Sequence, residues 1–483
     1  MTIPTTFHVT RPVSNTSTEV HPATRGAAVP ATHTQQERLL WGRHVHQVNN
    51  NIALGLRFDG RLDVALLERS LDLLAERHET LRTVFPEVDE EAGEEHVMLL
   101  LPPEPRALPV LEAPDEPEET RLPRVLALLA EHANQPFDLA AGPLFRPVLG
   151  RVSETLHVLS MTTDHIVFDA WSARIMINDL LTIYASGQGD DVPALPELSV
   201  QFPDFALWQH GHLDGKQLER QLGYWRKQLD GITPIPSSGL ADPDAPTGAE
   251  PGVTKLLEPI GPELSAAVEE FADRERVTSA VVVSAALKAA MWRLRLETVG
   301  AEEAGGVATF GSLANRTRPE TDAMVGYVAT PATFRTRFTG ATPFAELVRL
   351  EAQTLFNAMR HQRIPFSLIS RELAPEQYGI RFREPGSVPV YLNFDMDMVE
   401  DEREPLLHPT GLDVQPVGIP MPEVPRGGLR VIGYQRKDGI ALELRYRHDL
   451  YGRDWSARFV RLIHAFLQHG VDAPGTPIEE LPA

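Results

Sequence analysis

The chain has 483 residues, of which 42% are hydrophobic and 23% are charged, and its formal net charge is −22. This composition is typical of a globular protein, and the length predicts two large lobes, while the acidity disfavours nucleic acid and anionic membranes as partners. No apolar run is long enough to span a bilayer, and the absence of cysteine excludes disulfides, thiolate metal sites, iron–sulfur clusters and a cysteine nucleophile.

Residues 1–28 are rich in Thr, Pro, Ser and Val without periodicity, which predicts a flexible lead-in. This start lacks the basic and apolar regions of a secretory signal, so we expect a cytoplasmic protein. From residue 34 onward, helical and strand-like patterns alternate, which indicates a mixed α and β architecture. Helical spacing covers residues 34–41, 62–77, 121–133, 218–229, 262–275, 278–295, 343–360 and a final amphipathic segment with Trp455 and Phe459. Strand-like patterns cover residues 51–58, 156–161, 306–313, 429–434 and 440–446.

Turn-forming residues separate these elements. Lys437-Asp438-Gly439, between the last two strand patterns, is an Asp-Gly hairpin signal. Residues 187–196 are rich in Gly, Pro and Asp and are the best candidate for a crossing between lobes, while 237–252 is typical of a surface loop. We therefore expect one lobe up to residue 185 and a second from 186 to 483.

The stretch 161–179 combines a strand end, a histidine and a helix start. His165 and Asp169 lie at this junction, and both Asp169 and Ser172 are suitable caps for the helix that follows. A histidine at such a turn is a candidate general base. However, the chain has 17 histidines, so a His followed by Asp four residues later is expected about once by chance. Taken alone, the pair favours a structural histidine beside a capping aspartate.

Several short motifs occur in the order found in the condensation domains of nonribosomal peptide synthetases, which residues 29–483 resemble. Asp164–Ser172 falls on the family's histidine motif, His-His-x-x-x-Asp-Gly. This is the third of six motifs. The first, second, fourth, fifth and sixth correspond, in that order, to Gln36-Glu37-Arg38 with Trp41, Arg77-His78-Glu79 through Phe85, Pro203–Trp208, Val325–Arg335 and His361–Phe366. Each is weak alone, but the ordered series reverses the odds and favours His165 as a catalytic residue.

Three positions depart from the family pattern. Asp164 replaces the first histidine of the motif, and Ala170 replaces its closing glycine. The fifth motif, usually Ile-Gly-x-Phe-Val-Asn-Thr, reads Val325-Gly326-Tyr327-Val328-Ala329-Thr330-Pro331, which suggests an atypical acceptor. Arg363 stands where the sixth motif commonly has Asp.

The resemblance implies a fold of two chloramphenicol-acetyltransferase-like lobes (29–185 and 186–483) that form a V with a central tunnel. It implies acyl transfer from a carrier protein's phosphopantetheine thioester to an amine or alcohol, without a cofactor or metal of the enzyme's own. No adenylation or carrier segment is recognisable, so we expect a free-standing enzyme that meets its carrier in trans.

The resemblance also assigns roles to individual residues. His165 would accept or orient the nucleophile's proton, and Asp169 would pair with an arginine of the other lobe, here Arg316. Asp164 is a turn cap, a holder of a cationic acceptor or a carboxylate that raises the pKa of His165. Ser172 is interpreted as a first-turn helix residue. Trp171, Trp208, Arg77 and His78 are interpreted as core or scaffold.

Three other functions remain open. The motif Asp-x-x-x-x-Asp-x-x-Ser of heterocyclisation domains is matched by Asp164, Asp169 and Ser172. An acyltransferase that uses acyl-coenzyme A shares the histidine motif. A catalytically silent module that binds a carrier and recruits partners is a third alternative, which the changes at Asp164 and Ala170 favour and the retained His165 disfavours.

Overall fold

The fold is taken from a computed structural model. It describes residues 9–10, 12, 19–23, 26, 28–44, 50–88, 95–113, 115–189, 194–213, 215–246, 248–299, 306–377, 389–395, 411–423, 428–436 and 439–482. The predicted lead-in therefore lies mostly outside the described residues. Where it is described, Val20 is buried and the Ala23 N–H donates to Asp204, 3.0 Å away.

Every periodic helical segment of the sequence forms a helix, and two further helices, at residues 202–212 and 366–373, were not predicted. Their bounds are α1 (His33–His44), α2 (Val64–Arg77), α3 (Glu118–Ala133), α4 (Ala170–Gln188), α5 (Phe202–His212), α6 (Gly215–Gln228), α7 (Pro262–Glu275), α8 (Ser279–Val299), α9 (Phe344–Arg360), α10 (Phe366–Leu373) and α11 (Arg453–Asp472). Helix α2 shows why the pattern works. Asp63 caps its first turn by accepting from the Leu66 N–H at 2.9 Å, and Leu67, Leu71 and Leu74 are buried along one face.

The strands include every predicted one and several that were not predicted. They are β1 (Ala28–Pro30), β2 (Asn51–Gly60), β3 (Thr83–Val84), β4 (Val97–Leu100), β5 (Val110–Glu112), β6 (Phe145–Arg151), β7 (Leu156–Asp164), β8 (Val253–Pro259), β9 (Val307–Leu313), β10 (Thr330–Thr336), β11 (Val390–Asp395), β12 (Leu412–Val417), β13 (Leu429–Arg436) and β14 (Gly439–Arg447). Strands β13 and β14 pair antiparallel with Arg436 opposite Gly439, as the hairpin signal predicted. Lys437 and Asp438 themselves lie outside the described residues, as do residues 190–193 of the expected lobe crossing.

The strands form three sheets. A five-stranded sheet has the order β12-β2-β7-β6-β5, a six-stranded sheet has the order β10-β9-β11-β13-β14-β8, and a three-stranded sheet has the order β1-β4-β3. In the five-stranded sheet, β2 and β7 pair antiparallel with Asn51 opposite Asp164. This register brings the start of β2 beside the end of β7, where the histidine stretch begins.

The described residues group into two compact units. One unit contains residues 1–218, 316–329 and 398–422, and the other contains 219–315, 330–397 and 423–483. The first has a core of residues from α2, α4 and the five-stranded sheet, including Phe58, Leu67 and Leu180. The second has a core around α8, including Val282, Leu287 and Met291. The division into lobes at residues 185 and 186 stays a prediction. These units differ from it because they group 186–218, 316–329 and 398–422 with the N-terminal residues.

No single helix within the described ranges is both long and apolar enough to cross a membrane, and only α7 and α8, a bent pair, meet that test jointly by length and composition.

Candidate active site

The histidine stretch is a strand end, a single turn and a helix start, each fixed by an aspartate. Strand β7 ends at Asp164, a 3₁₀ turn spans His165–Val167, and α4 starts at Ala170. Asp164 Oδ1 accepts from the Ile166 N–H at 2.8 Å, and Asp169 Oδ1 accepts from the Ser172 N–H at 2.9 Å. Asp169 therefore caps α4, Asp164 caps the turn, which is one of the three roles considered for it above, and Ser172 lies in the first turn of the helix.

The His165 ring is held in one orientation. Its Nδ1 lies 2.6 Å from the carbonyl oxygen of Phe168, and its backbone N–H donates to the Asn50 carbonyl at 3.0 Å. Because a carbonyl oxygen only accepts, Nδ1 must carry a proton, which leaves the lone pair of a neutral ring on Nε2. Nε2 has no hydrogen-bond partner among the described residues. This is the tautomer that a general base requires.

The surroundings of His165 favour its neutral form. Burial lowers the pKa of His165 below its ordinary value of 6.5, against the opposing effects of its hydrogen bond to Phe168 and of the carboxylates of Asp169 and Asp164. The residue as a whole is only partly buried. The ring of Tyr327 packs against it at a centroid distance of 4.6 Å and a tilt of 47°. The suggestion that Asp164 raises the pKa of His165 is correct in direction, but burial outweighs it.

Asp169 faces away from the imidazole and into a buried polar cluster. The guanidinium of Arg316 lies 3.1 Å and 3.2 Å from its two oxygens, and both side chains are 1% exposed. Oδ2 also accepts from the backbone N–H groups of Val328 and Ala329, at 3.0 Å and 3.1 Å. The predicted ion pair between Asp169 and Arg316 is therefore present. It joins the start of α4 to the segment 316–329 within the first compact unit.

Arg316 is committed to this scaffold. Besides Asp169, its guanidinium donates to the carbonyl oxygens of Thr321 and Met324. Burial lowers the pKa of Arg316, and the carboxylate of Asp169 opposes that shift. The guanidinium of Arg316 is thus bonded to the scaffold through both terminal nitrogens.

The hydroxyl of Ser172 is fully enclosed. Its single proton is directed at Asp169 Oδ1, 2.7 Å away, with the Gly326 carbonyl oxygen at 3.1 Å, and its oxygen accepts from the Gly326 N–H at 3.0 Å. The side chain is 0% exposed. Ser172 therefore ties α4 to the fifth motif.

Asp164 uses its second oxygen for a charge contact. Oδ2 lies 4.0 Å from the guanidinium of Arg38, in the first motif on α1, and the aspartate is only 5% exposed. Arg38 thus partly compensates the carboxylate that stands where the family has a histidine.

The second motif is scaffold, as interpreted. His78 Nε2 and Arg77 Nε both lie 2.8 Å from Asp179 Oδ2, which attaches the end of α2 to α4. Burial lowers the pKa of His78, so this histidine favours the neutral form. Burial alone would raise the pKa of Asp179, but the hydrogen bonds from His78 and Arg77 hold it below its usual value.

The two tryptophans differ. Trp208 is buried in α5 and stacks on His212 at 4.8 Å, as predicted for a core residue. Trp171 is 38% exposed, and its indole N–H donates to the Asp322 carbonyl at 3.1 Å, so the prediction that it is core was wrong. The buried face of α4 begins one residue later, at Ser172 and Ala173.

The sequence did not indicate two contributors to the site, namely Tyr327 beside His165 and Arg38 beside Asp164. Both lie inside recognised motifs, so the signal was present, but the motif comparison does not state which side chains meet. Within the described ranges, no group of three His, Cys, Asp or Glu side chains is arranged to hold a metal ion.

Comparison with known proteins places this site in a family. The family model "Condensation domain" matches residues 27–482. The chain is 28% identical over 472 residues to a linear gramicidin synthase protein of Brevibacillus parabrevis, covering 97% of this chain and 6% of that protein. It is 29% identical over 484 residues to the phosphinothricin tripeptide synthetase PhsB of Streptomyces viridochromogenes, covering 98% of this chain and 38% of that protein. The chain thus spans only a small part of the curated relatives it matches.

A solved structure gives the same result. The complex of the X-domain and OxyB from teicoplanin biosynthesis contains a chain that matches 97% of this one, over 99% of its own length, with a TM-score of 0.79 and 25% sequence identity. The predicted mixed α/β, chloramphenicol-acetyltransferase-like fold is confirmed. The chain belongs to the condensation-domain family of nonribosomal peptide synthesis.

Proposed function

We propose that this protein transfers an acyl or aminoacyl group from a carrier-protein phosphopantetheine thioester to an amine or alcohol, with His165 as the general base. The observation that carries the proposal is the state of the imidazole. Nδ1–H is bonded to the Phe168 carbonyl, Nε2 is unpartnered among the described residues, and burial keeps the ring neutral. A neutral and oriented imidazole is suited to accepting a proton at physiological pH.

The proposed chemistry needs little beyond positioning and proton transfer. The nucleophile's nitrogen or oxygen forms a bond to the thioester carbonyl carbon, the C–S bond breaks, and the phosphopantetheine thiolate leaves. Nε2 of His165 takes the proton from the nucleophile and returns it to the departing sulfur. Since a thioester is already activated, no covalent enzyme intermediate is required.

The start of α4 offers donors for the developing oxyanion. The Asp169 cap occupies the Ser172 N–H. The preceding N–H groups, of Ala170 and Trp171, have no partner among the described residues, as expected in the first turn of a helix. We assign these groups to the oxyanion.

The thioester-bearing carrier is a substrate and partner in this proposal, and the enzyme needs no cofactor of its own. The chain's charge of −22 repels an acidic carrier at long range, so docking depends on a local basic or apolar surface. We propose that the carrier is met in trans.

A second candidate is a binding module without turnover. It is favoured by the similarity to an X-domain that was solved in complex with another protein, OxyB, and by Asp164 and Ala170 in the histidine motif. In this alternative, His165 would be retained for structure alone.

The deciding experiment offers acyl groups on a carrier, and separately on coenzyme A, to a panel of amines and alcohols that includes cysteine and serine. Wild type is compared with His165→Ala and with His464→Ala, a control on α11 in the other compact unit. We expect transfer from the carrier only, and a loss of about 10²–10⁴-fold in His165→Ala alone. Carrier binding without wild-type turnover supports the binding module. Transfer from coenzyme A, or a cyclised cysteine product, supports the acyl-coenzyme A or heterocyclisation alternative.

A further inference from the structure

The side chain closest to His165 in the fifth motif is Tyr327, a residue for which neither the motif comparison nor the proposed reaction has a role. Its ring centroid lies 4.6 Å from that of His165, within the range of a direct aromatic contact. The hydrogen bond to Phe168 fixes one edge of the imidazole. The ring can still turn about the axis of that bond unless a second contact restrains it.

Tyr327 is itself held rigidly by its neighbours in sequence. It is the central residue of a γ-turn in which the Val328 N–H is shared between the Gly326 carbonyl, at 3.1 Å, and Asp169 Oδ2, at 3.0 Å. On one side, the Gly326 N–H donates to the hydroxyl oxygen of Ser172 at 3.0 Å. On the other side, the N–H groups of Val328 and Ala329 bind Asp169 Oδ2.

This turn is also packed closely against α5. A Cβ atom on Gly326 would lie 2.1 Å from Cδ2 of the buried Phe202, so the backbone rests directly on α5. Asp169, Arg316 and Ser172 therefore contact the imidazole only indirectly: they fix a turn, and the turn presents Tyr327 to His165.

We propose that Tyr327 is a positioning residue, through which the buried Asp169–Arg316–Ser172 cluster holds the His165 ring so that Nε2 faces the reacting groups. This inference rests on the proposed function for its catalytic meaning, but the contact itself is testable without turnover. The aromatic ring of Tyr327 positions the imidazole by packing against it and partly burying it. The hydroxyl group of Tyr327 is not required.

The effect on the His165 pKa has a defined sign. Burial is the main cause of the lowered pKa, so replacing Tyr327 with a smaller side chain admits water and raises the pKa toward its ordinary value. The charged groups around His165 stay in place in such a variant. They are the carboxylates of Asp164 and Asp169, paired with Arg38 and Arg316.

The test is nuclear magnetic resonance of histidine rings labelled with ¹³C and ¹⁵N, with the His165 signals assigned by their loss in His165→Ala. The variants are Tyr327→Phe, which keeps the ring, and Tyr327→Leu, which removes it. Tyr327→Met replaces the ring with a flexible apolar chain and is used if the leucine variant does not fold. Tyr224→Leu is the matched control, because Tyr224 stacks on His361 at 4.0 Å in the other compact unit.

We expect His165 to titrate below pH 6.5 as the Nδ1–H tautomer in wild type and in Tyr327→Phe. In Tyr327→Leu, the pKa rises and both tautomers appear, while Tyr224→Leu leaves the His165 signals unchanged. Transfer in Tyr327→Leu falls about 10- to 100-fold in kcat with little change in KM, and Tyr327→Phe restores it. Unchanged tautomer and pKa in a folded Tyr327→Leu overturn the inference. If the wild type shows no turnover, the proposed function is wrong, but the spectroscopic result still tests whether Tyr327 positions His165.

Discussion

Asp169 shows how a motif carboxylate can matter to a reaction without touching it. Both of its oxygens are occupied by Arg316, by Ser172 and by backbone N–H groups, and none contacts the imidazole. Removing this carboxylate leaves a guanidinium that is 1% exposed without its counter-charge. Loss of this carboxylate is therefore expected to lower the free energy of unfolding before it affects the reaction.

We expect Asp169→Ala to lower the free energy of unfolding by about 3–5 kcal/mol, the cost of stranding one partner of a buried ion pair. Urea unfolding followed by circular dichroism measures it. Asp59→Ala is the matched control: it breaks an ion pair of 2.7 Å with Arg57 in which each side chain is about one third exposed. That change should cost about 1 kcal/mol or less.

Combining Asp169→Ala with Arg316→Met removes the stranded charge and should recover part of the lost stability. An unfolding midpoint of Asp169→Ala equal to that of wild type would contradict the structural role.

Local rules account for part of this chemistry. Asp164 and Asp169 were predictable as caps, because each accepts from an N–H two or three residues ahead. The family resemblance supplied Arg316. Tyr327 and Arg38 were not predictable as partners of His165 and Asp164, because nothing local indicates which distant side chains meet. The prediction that Trp171 is a core residue was wrong for a different reason. Helical spacing defines the buried face of a helix, but a shift of one residue changes which side chain of the first turn lies on that face.

At the scale of elements, the segment 316–329 is positioned by packing on α5. Gly326 is the point of closest approach, where a Cβ atom would meet three ring carbons of Phe202, the nearest at 2.1 Å. The same segment carries the N–H groups that bind Asp169. The packing at Gly326 and the hydrogen bonds to Asp169 therefore hold the same segment, 316–329, in place.

We expect Gly326→Ala to destabilise the protein by about 1–3 kcal/mol through overpacking and to displace the turn that carries Tyr327. The control is Gly223→Ala in the middle of α6, where nothing lies within 4 Å of the added Cβ. There, alanine should stabilise the helix by about 0.5–1 kcal/mol. Thermal and urea unfolding of the pair measure both changes, and a stable Gly326→Ala variant would show that the segment can move off α5.

The predictability of elements followed the strength of their periodicity. Long amphipathic helices such as α7 and α9 were located within a residue or so, because one apolar stripe repeats over several turns. Strand β12 was missed because Pro416 within it argues against a central strand. In the structure β12 lies at the edge of its sheet, where proline is tolerated. Strand β5, with three residues, is too short for a clear alternation.

At the scale of the whole molecule, length and composition predicted two large lobes, but not the path of the chain. The chain passes from one compact unit to the other after residues 218, 315, 329, 397 and 422. Periodicity is local, so it cannot show that β12 returns to pair with β2, or that Arg316 returns to Asp169. The resemblance to the family, based on the order of its motifs, predicted the distant pairing of Arg316 with Asp169, which local periodicity cannot indicate.

We expect a fragment of residues 1–218 to show no cooperative unfolding transition. It lacks β12, which covers one edge of β2, and it lacks Arg316, which compensates the buried Asp169. Urea titration of the purified fragment, alone and after co-expression with residues 219–483, measures this. We expect the transition only with both pieces present. A fragment that unfolds cooperatively alone, at the midpoint of the full chain, would refute the dependence.

The return of the chain to β2 has a consequence for synthesis on the ribosome. Residue 218 emerges about 200 residues before β12 is complete, which at about 5–20 residues per second corresponds to roughly 10–40 s. During that interval, the edge of β2 that later pairs with β12 is exposed. For part of it, Asp169 also lacks its ion-pair partner, Arg316. A nascent chain in this state is a client for chaperones that bind exposed strand edges. Slow codons between 219 and 411 would prolong its exposure to aggregation.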